Sequence, residues 1–157
     1  MALVNYTSSS FGCEALSMTR PIVLYDGVCG LCNRLVQFLL KHDTHDRLRF
    51  ASLQSDFGGA ILKRHQLDQK ALDSVCLVLN YEQPGEQVLT QSNAVLALGS
   101  ELGGIWKVAV AGKVLPEVFR NWMYDLVAKN RYKVFGKYDS CMMPEGRYRR
   151  KFLDTMS

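Results

Sequence analysis

Apolar runs of β type alternate along the chain with segments whose apolar residues recur at helical spacing. Pro21 to Tyr25 (Pro-Ile-Val-Leu-Tyr) predicts a short buried strand. Asp26-Gly27-Val28 breaks it, and the period then changes. Leu31, Leu35, Phe38 and Leu39 fall at helical spacing, with Val36 and Leu40 widening the stripe. That helix is expected to fade near His42 to Thr44. Leu48 to Leu53 predicts a second strand. Phe57 to His65 predicts a helix weakened at its start by Gly58-Gly59. Ser74 to Leu79 predicts a third strand, and Pro84-Gly85 a turn into a short fourth one over Val88 to Thr90. Ser92 is expected to cap a helix carrying Ala94 to Leu98, which Gly103-Gly104 ends. Ile105 to Ala111 suggests a short helix. Pro116 opens a long amphipathic one through about Arg131. Its apolar residues Phe119, Trp122, Met123 and Leu126 are expected to pack on the core.

The order is β-α-β-α-β-β-α with additional C-terminal helices, an α/β arrangement. The first two strands and their crossover helix make a right-handed parallel unit, and the later two strands an antiparallel edge. This is the order of the thioredoxin-like fold. The chain has 157 residues, 48% of them apolar and 22% charged, which fits one domain with a real core. We expect a loose leader over 1–20, a single domain over 21–144 and a basic tail over 145–157. Met18 could be the true start, because the ordered pattern begins at Pro21.

Net charge is +4, and Arg147-Tyr-Arg-Arg-Lys151 carries four of the basic residues. Such a tail could touch RNA or an anionic membrane, but nucleic-acid proteins carry a broader basic face. A solvated, frayed C-terminus is the expected reading. No apolar run approaches membrane-spanning length, and the start lacks a secretory signal pattern. A cytoplasmic location is expected, with no nucleic-acid partner. The five cysteines are Cys13, Cys29, Cys32, Cys76 and Cys141. An odd, sparse set argues against a disulfide scaffold and points to redox or metal chemistry for the close pair. Cys76, inside a strand, reads as simply buried.

Asp26-Gly27-Val28-Cys29-Gly30-Leu31-Cys32 joins the first strand to the first helix. Thiol exchange needs a thiolate, and a helix N-terminus stabilises a nearby anion. Cys29 falls there and is the expected nucleophile. Cys32 lies one turn on and on the same side, placed to resolve a mixed disulfide formed at Cys29. Gly30 is expected to let the backbone turn tightly and leave the first sulfur open. Arg34 adds positive charge near the first turn. No cofactor is called for. Partners would be a disulfide-containing protein or a small thiol such as glutathione.

A second function class is a zinc module, with Cys29 and Cys32 joined by His42 and His45. The spacing is C-x2-C, nine residues, then H-x2-H. A zinc finger uses about twelve residues between the pairs and three to five between the histidines. An unbroken helix would also hold His42 at ~15 Å from Cys32. The histidines are simpler as residues favouring a helix C-terminus, and no metal is expected.

Asp26, Cys29 and Cys32 match in order the Asp-x-x-Cys-x-x-Cys signature of the DCC family of thiol–disulfide oxidoreductases. Phe50-Ala-Ser-Leu-Gln54, Ser92-Asn-Ala94, Tyr124 through Asn130-Arg-Tyr132 to Phe135-Gly136, and Cys141 also resemble family features. The resemblance covers about Pro21 to Pro144 and implies a thioredoxin-like fold and dithiol chemistry. Two departures from ordinary thioredoxins bear on substrate. Where those carry a cis-proline opposite the active site, this chain has Ser74-Val75. Thr90-Gln91-Ser92-Asn93-Ala94 also resembles the Ser-x-Ala helix start of glutathione transferases. Ser74, Val75, Ser92 and Asn93 are therefore candidate substrate contacts. Small thiols are expected to be turned over at least as well as protein disulfides. Asp26 has three open roles: proton acceptor for Cys32, an opponent of thiol ionisation, or an anchor for the loop. Cys141 is either a third redox cysteine or a passive thiol.

Overall fold

The computed structural model describes residues 20–68, 75–104, 111, 113–137, 139 and 145–155. Four strands form one mixed sheet in the order β2-β1-β3-β4. They are β1 (Ile22–Tyr25), β2 (Arg49–Ser52), β3 (Cys76–Leu79) and β4 (Gln87–Leu89). β1 runs parallel to β2, with Val23 opposite Phe50, and antiparallel to β3, with Val23 opposite Leu77. β3 and β4 form the antiparallel edge. Helix α1 (Gly30–His42) makes the crossover from β1 to β2, and α2 (Asp56–Arg64) the return to β3. Helices α3 (Gln91–Leu102) and α4 (Glu117–Phe135) follow. The fold is thioredoxin-like.

Alternation along β1 divides the core in two. Val23 and Tyr25 face α1 and α3, in a cluster with Val36, Leu39, Phe50, Val75, Leu77 and Leu98. Ile22 and Leu24 face α2, with Ile61, Leu62, Cys76 and Val78. All four β1 residues are buried, so the run is continuously apolar, as a central strand requires. The Ser55 hydroxyl caps α2 by accepting from the Gly58 amide. Gly58 strengthens this helix's seat, because a Cβ there would lie 2.3 Å from the Ser52 carbonyl oxygen. Only glycine lets α2 approach β2 so closely.

Three expectations are corrected. The Arg147 to Lys151 segment is not frayed: residues Gly146–Lys151 form a 3-10 helix. Lys151 is buried, and its Nζ lies 2.8 Å from Asp43 Oδ2. Phe152 follows into the core, stacked on Phe50 at 5.4 Å. Its backbone pairs beside β2, and Asp154 accepts from the Ser52 amide at 2.7 Å. The tail thus covers the open edge of β2, where unpaired backbone groups need partners. Second, Phe119, Trp122, Met123 and Leu126 do not pack on the core. They are 46%, 60%, 49% and 52% exposed. The inward face of α4 is instead Asn121, Tyr124, Asp125, Ala128, Arg131 and Phe135. Third, Ser92 does not cap α3. The capping position is Thr90, and the Ser92 hydroxyl donates to Asn121 Oδ1 at 2.5 Å. The leader, Ser74, Cys13, Cys141 and nearly all of the helix expected over 105–111 lie outside the described residues.

Candidate functional site

Cys29 stands at the N-cap of α1 in extended conformation, and Cys32 sits on the first turn. Both are free thiols and both are buried. The turn that delivers them is held by short bonds. The Cys29 amide donates to the Asp26 carbonyl at 3.2 Å. The Asn33 side chain donates to the Gly27 carbonyl at 2.9 Å, and Gly27 N–H donates to Gln54 Oε1 at 3.1 Å. Ser52 fixes Gln54 through a 2.6 Å hydroxyl bond. The end of β2 therefore supports the loop that carries the thiols.

The C-terminal end of α4 closes over the same loop. The Gly30 amide donates to the Gly136 carbonyl at 3.1 Å, and the backbones of Cys29 and Lys137 pair antiparallel. This contact corrects the expected role of Gly30 and the expected exposure of Cys29. Gly30 is not needed for a positive φ. It is needed because a Cβ would lie 2.1 Å from the Phe135 carbonyl oxygen. Gly30→Ala should therefore lower stability by about 1–3 kcal/mol through overpacking, read as a lower denaturant midpoint at unchanged m-value.

The two thiols are driven apart in acidity. The Cys32 side chain hydrogen-bonds to the Cys29 sulfur, which is the largest influence lowering the Cys29 pKa to about 6. Burial opposes this. The amides of Cys32 and Leu31 face the sulfur without closing a full capping bond, and the Arg131 charge adds to them. The Cys32 thiol is pushed upward, first by that same hydrogen bond and then by burial. Cys76 is raised to about 12 by burial alone and stays an inert core thiol.

This predicts a pH profile. A lowered pKa means that Cys29 is a thiolate above about pH 6 and loses reactivity as pH falls through that value. At pH 7 the ionised fraction is roughly 90%, against about 1% for a thiol at the ordinary value of 9.0. Lower basicity weakens each thiolate's attack by roughly twentyfold. The net gain at neutrality is therefore only several-fold. Iodoacetamide labelling with peptide mapping should place the inflection of Cys29 near pH 6 and leave Cys32 unlabelled there.

Asp26 is buried beside the pair with four donors on its carboxylate. Oδ1 accepts from the Val28 amide at 3.1 Å and Gln54 Nε2 at 2.8 Å. Oδ2 accepts from the Tyr132 hydroxyl at 2.5 Å and faces an Arg131 nitrogen at 3.4 Å. Arg131 is itself buried and also donates to the Tyr132 oxygen at 2.8 Å. Burial and the Asp26 carboxylate raise the Tyr132 pKa to about 12, which keeps the hydroxyl a donor. In the sequence Arg131 and Tyr132 stand out only as part of a family-like segment, because nothing local to them signals a site.

Other candidates fall elsewhere. Arg34 is exposed and lies over the Phe135 ring at 5.7 Å, facing outward. Val75 shares the buried cluster of Cys29 and Cys32. Asn93 is exposed and donates to Glu117 at 3.0 Å, so both it and Ser92 tie α3 to α4. His42 ends an unbroken α1 and bonds to the Phe38 carbonyl at 2.8 Å, while His45 contacts Thr44 at 3.1 Å. The continuous helix keeps these histidines from converging on the thiols. Among the described residues no three metal-ligating side chains cluster, and no helix is long and apolar enough to cross a membrane.

Comparison with known proteins agrees with this geometry. Residues 23–137 match the family model described as DCC1-like thiol-disulfide oxidoreductase. The chain is 39% identical over 132 residues to the uncharacterized protein YuxK of Bacillus subtilis, covering 84% of this chain and 93% of that one. It is 37% identical over 123 residues to a chloroplastic DCC family protein of Arabidopsis thaliana, covering 78% of this chain and 69% of the relative. No solved structure matches. With the paired cysteines at the helix start and the match across most of its length, the chain belongs to the DCC1-like thiol-disulfide oxidoreductase family.

Proposed function

We propose that the protein is a dithiol enzyme that reduces disulfides through Cys29 and Cys32. The observation that carries this is the paired state of the thiols. One sulfur is favoured as a thiolate, and its neighbour is held as the hydrogen-bonding thiol. The Cys29 thiolate attacks one sulfur of a substrate disulfide. The substrate S–S bond breaks, a Cys29 mixed disulfide forms, and the first substrate sulfur leaves as a thiolate. Cys32 then loses its proton to solvent or to that leaving thiolate and attacks the Cys29 sulfur. The Cys29–Cys32 disulfide forms and the second substrate sulfur leaves. Two electrons have passed from the dithiol to the substrate. A thiol reductant returns the enzyme to its dithiol form.

The substrate class is a protein disulfide or the mixed disulfide of a small thiol such as glutathione. The expected preference for small thiols draws on the missing proline near Val75 and on the Ser92 helix start, with Asn93 beside it. The Ser92 and Asn93 side chains instead bond to Asn121 and Glu117, so we assign them to the joint between α3 and α4. A reducing, cytoplasmic setting suits a site that works from free thiols.

Thiol titration with and without dithiothreitol, followed by mass mapping, tests the chemistry. A Cys29–Cys32 disulfide in the oxidised protein supports it, and two persistently free thiols after oxidant treatment refute it. Reduction of insulin against a glutathione mixed disulfide then separates the substrate arms. Ser92→Ala should change neither rate by more than about twofold. Selective loss of the glutathione activity would restore Ser92 as a substrate contact.

A further inference from the structure

We propose that Arg131 is a positioning residue, the buried positive charge that α4 sets beside the Cys29 loop, and that Asp26 is the counter-ion fixing Arg131 rather than the base for Cys32. This rests on the proposed dithiol reading and adds the residues that tune it.

The argument begins with burial. Arg131 and Asp26 have side chains only 4% and 5% exposed, and they meet at 3.4 Å. A guanidinium is enclosed at such a cost only where anions receive it. One anion is Asp26. The other is the Cys29 sulfur: Arg131 lies one turn before the end of α4, the end that pairs with Cys29 and Gly30 through Lys137 and Gly136, and its charge lowers the Cys29 pKa less than the Cys32 hydrogen bond does. Tyr132 ties the pair together, because its hydroxyl accepts from Arg131 and donates to Asp26. Its ring also lies under the guanidinium at 4.5 Å.

The geometry separates this role from base catalysis. A base must offer a lone pair to the proton that it takes. A carboxylate has about four lone-pair positions. Val28, Gln54, Tyr132 and Arg131 direct four donors at them. Asp26 is therefore committed to anchoring. The other groups near the pair do not replace Arg131. Lys137 pairs with Cys29 through its backbone, but it is exposed, with its ammonium over the Tyr132 ring at 5.8 Å, and Arg34 lies exposed over Phe135.

The test follows Cys29 alkylation against pH in the reduced full-length protein, with Cys32 mapped separately. Arg131→Gln should raise the inflection by about one unit, which cuts the ionised fraction at pH 5.5 about eightfold and, with the more basic thiolate offsetting part of this, the labelling rate about threefold. Arg131→Lys should restore most of that loss, because it keeps the charge. An unmoved inflection in a folded Arg131→Gln protein, or a lysine variant no better than glutamine, overturns the proposal. Asp26→Asn gives a second arm should Arg131→Gln not fold. Asparagine keeps an oxygen for Val28 and Gln54 while removing the charge that competes for Arg131. The inflection should then move down, whereas an upward shift counts against the proposal.

Resolution gives the third readout. A preformed mixed disulfide of Cys29 with thionitrobenzoate releases its chromophore when Cys32 attacks. The Asp26→Asn rate should stay within about threefold of wild type. A tenfold drop would restore Asp26 as the base. Alkylation reads the Cys29 thiolate whether or not a disulfide forms, so failure of the dithiol reading and failure of this proposal remain distinguishable.

Discussion

Cys29→Ser is expected to remove disulfide reduction by about three orders of magnitude or more, while Cys32→Ser stops the reaction one step later. A serine hydroxyl stays neutral at pH 7, so the first variant has no nucleophile. The second keeps the Cys29 sulfur and also keeps a donor at position 32. Its Cys29 should therefore remain reactive and accumulate as a mixed disulfide, visible by non-reducing mass measurement. Cys32→Ala differs in one respect. It removes the hydrogen bond that contributes most to lowering the Cys29 pKa. Its Cys29 inflection should thus rise towards the ordinary thiol range, above that of Cys32→Ser. Equal inflections in the two variants would show that the helix start and Arg131 dominate instead. Trapping on Cys32 in the Cys29→Ser variant would reverse the assignment of nucleophile.

The placement of the two cysteines was legible in the sequence because its causes are local. A strand, a glycine break and a helix place Cys29 at an N-cap whatever the rest of the chain does. Their spacing also puts Cys32 one turn later. The charge around the pair was not legible. Arg131 lies 105 positions after Asp26, on a helix whose apolar stripe suggests the opposite facing. Periodicity shows that α4 has two faces, but it does not say which one meets the protein. The polar face turns inward because Ser92, Asn93, Gln91 and Asp26 bind Asn121, Glu117, Asp125 and Arg131. Gly30 is similar: the residue is conspicuous in sequence, but the carbonyl that requires it is contributed by Phe135.

The C-terminal segment shows the same division between local and distant causes. Five residues rich in arginine and lysine read as solvated, and most of them are exposed. The overlooked signal is the Phe152-Leu153 pair that follows. Apolar residues at the end of a basic run need a surface to cover, and the open edge of β2 supplies it. Lys151 completes the attachment by meeting Asp43, whose carboxylate also accepts from the amides of Arg47 and Leu48. The same carboxylate thus shapes the turn into β2 and receives the tail.

Phe152→Ala should consequently be among the most damaging single changes outside the site. The ring is 3% exposed, stacked on Phe50 and edge-on to Tyr25 at 6.2 Å. Truncating a buried phenylalanine costs about 3–5 kcal/mol. Whole domains are stable by only about 5–15 kcal/mol, so a melting point lower by roughly 10 °C is expected. Trp122→Ala should behave oppositely. That indole is 60% exposed and stacks on Phe119, at 6.0 Å, along the outer face of α4. Its removal should change stability by no more than about 0.5 kcal/mol. The pair is best measured together, by denaturant melts of the reduced protein. A small loss at Phe152 would mean that the tail does not hold the β2 edge in solution. A loss at Trp122 as large as that at Phe152 would mean that the outer face of α4 is covered in the free protein.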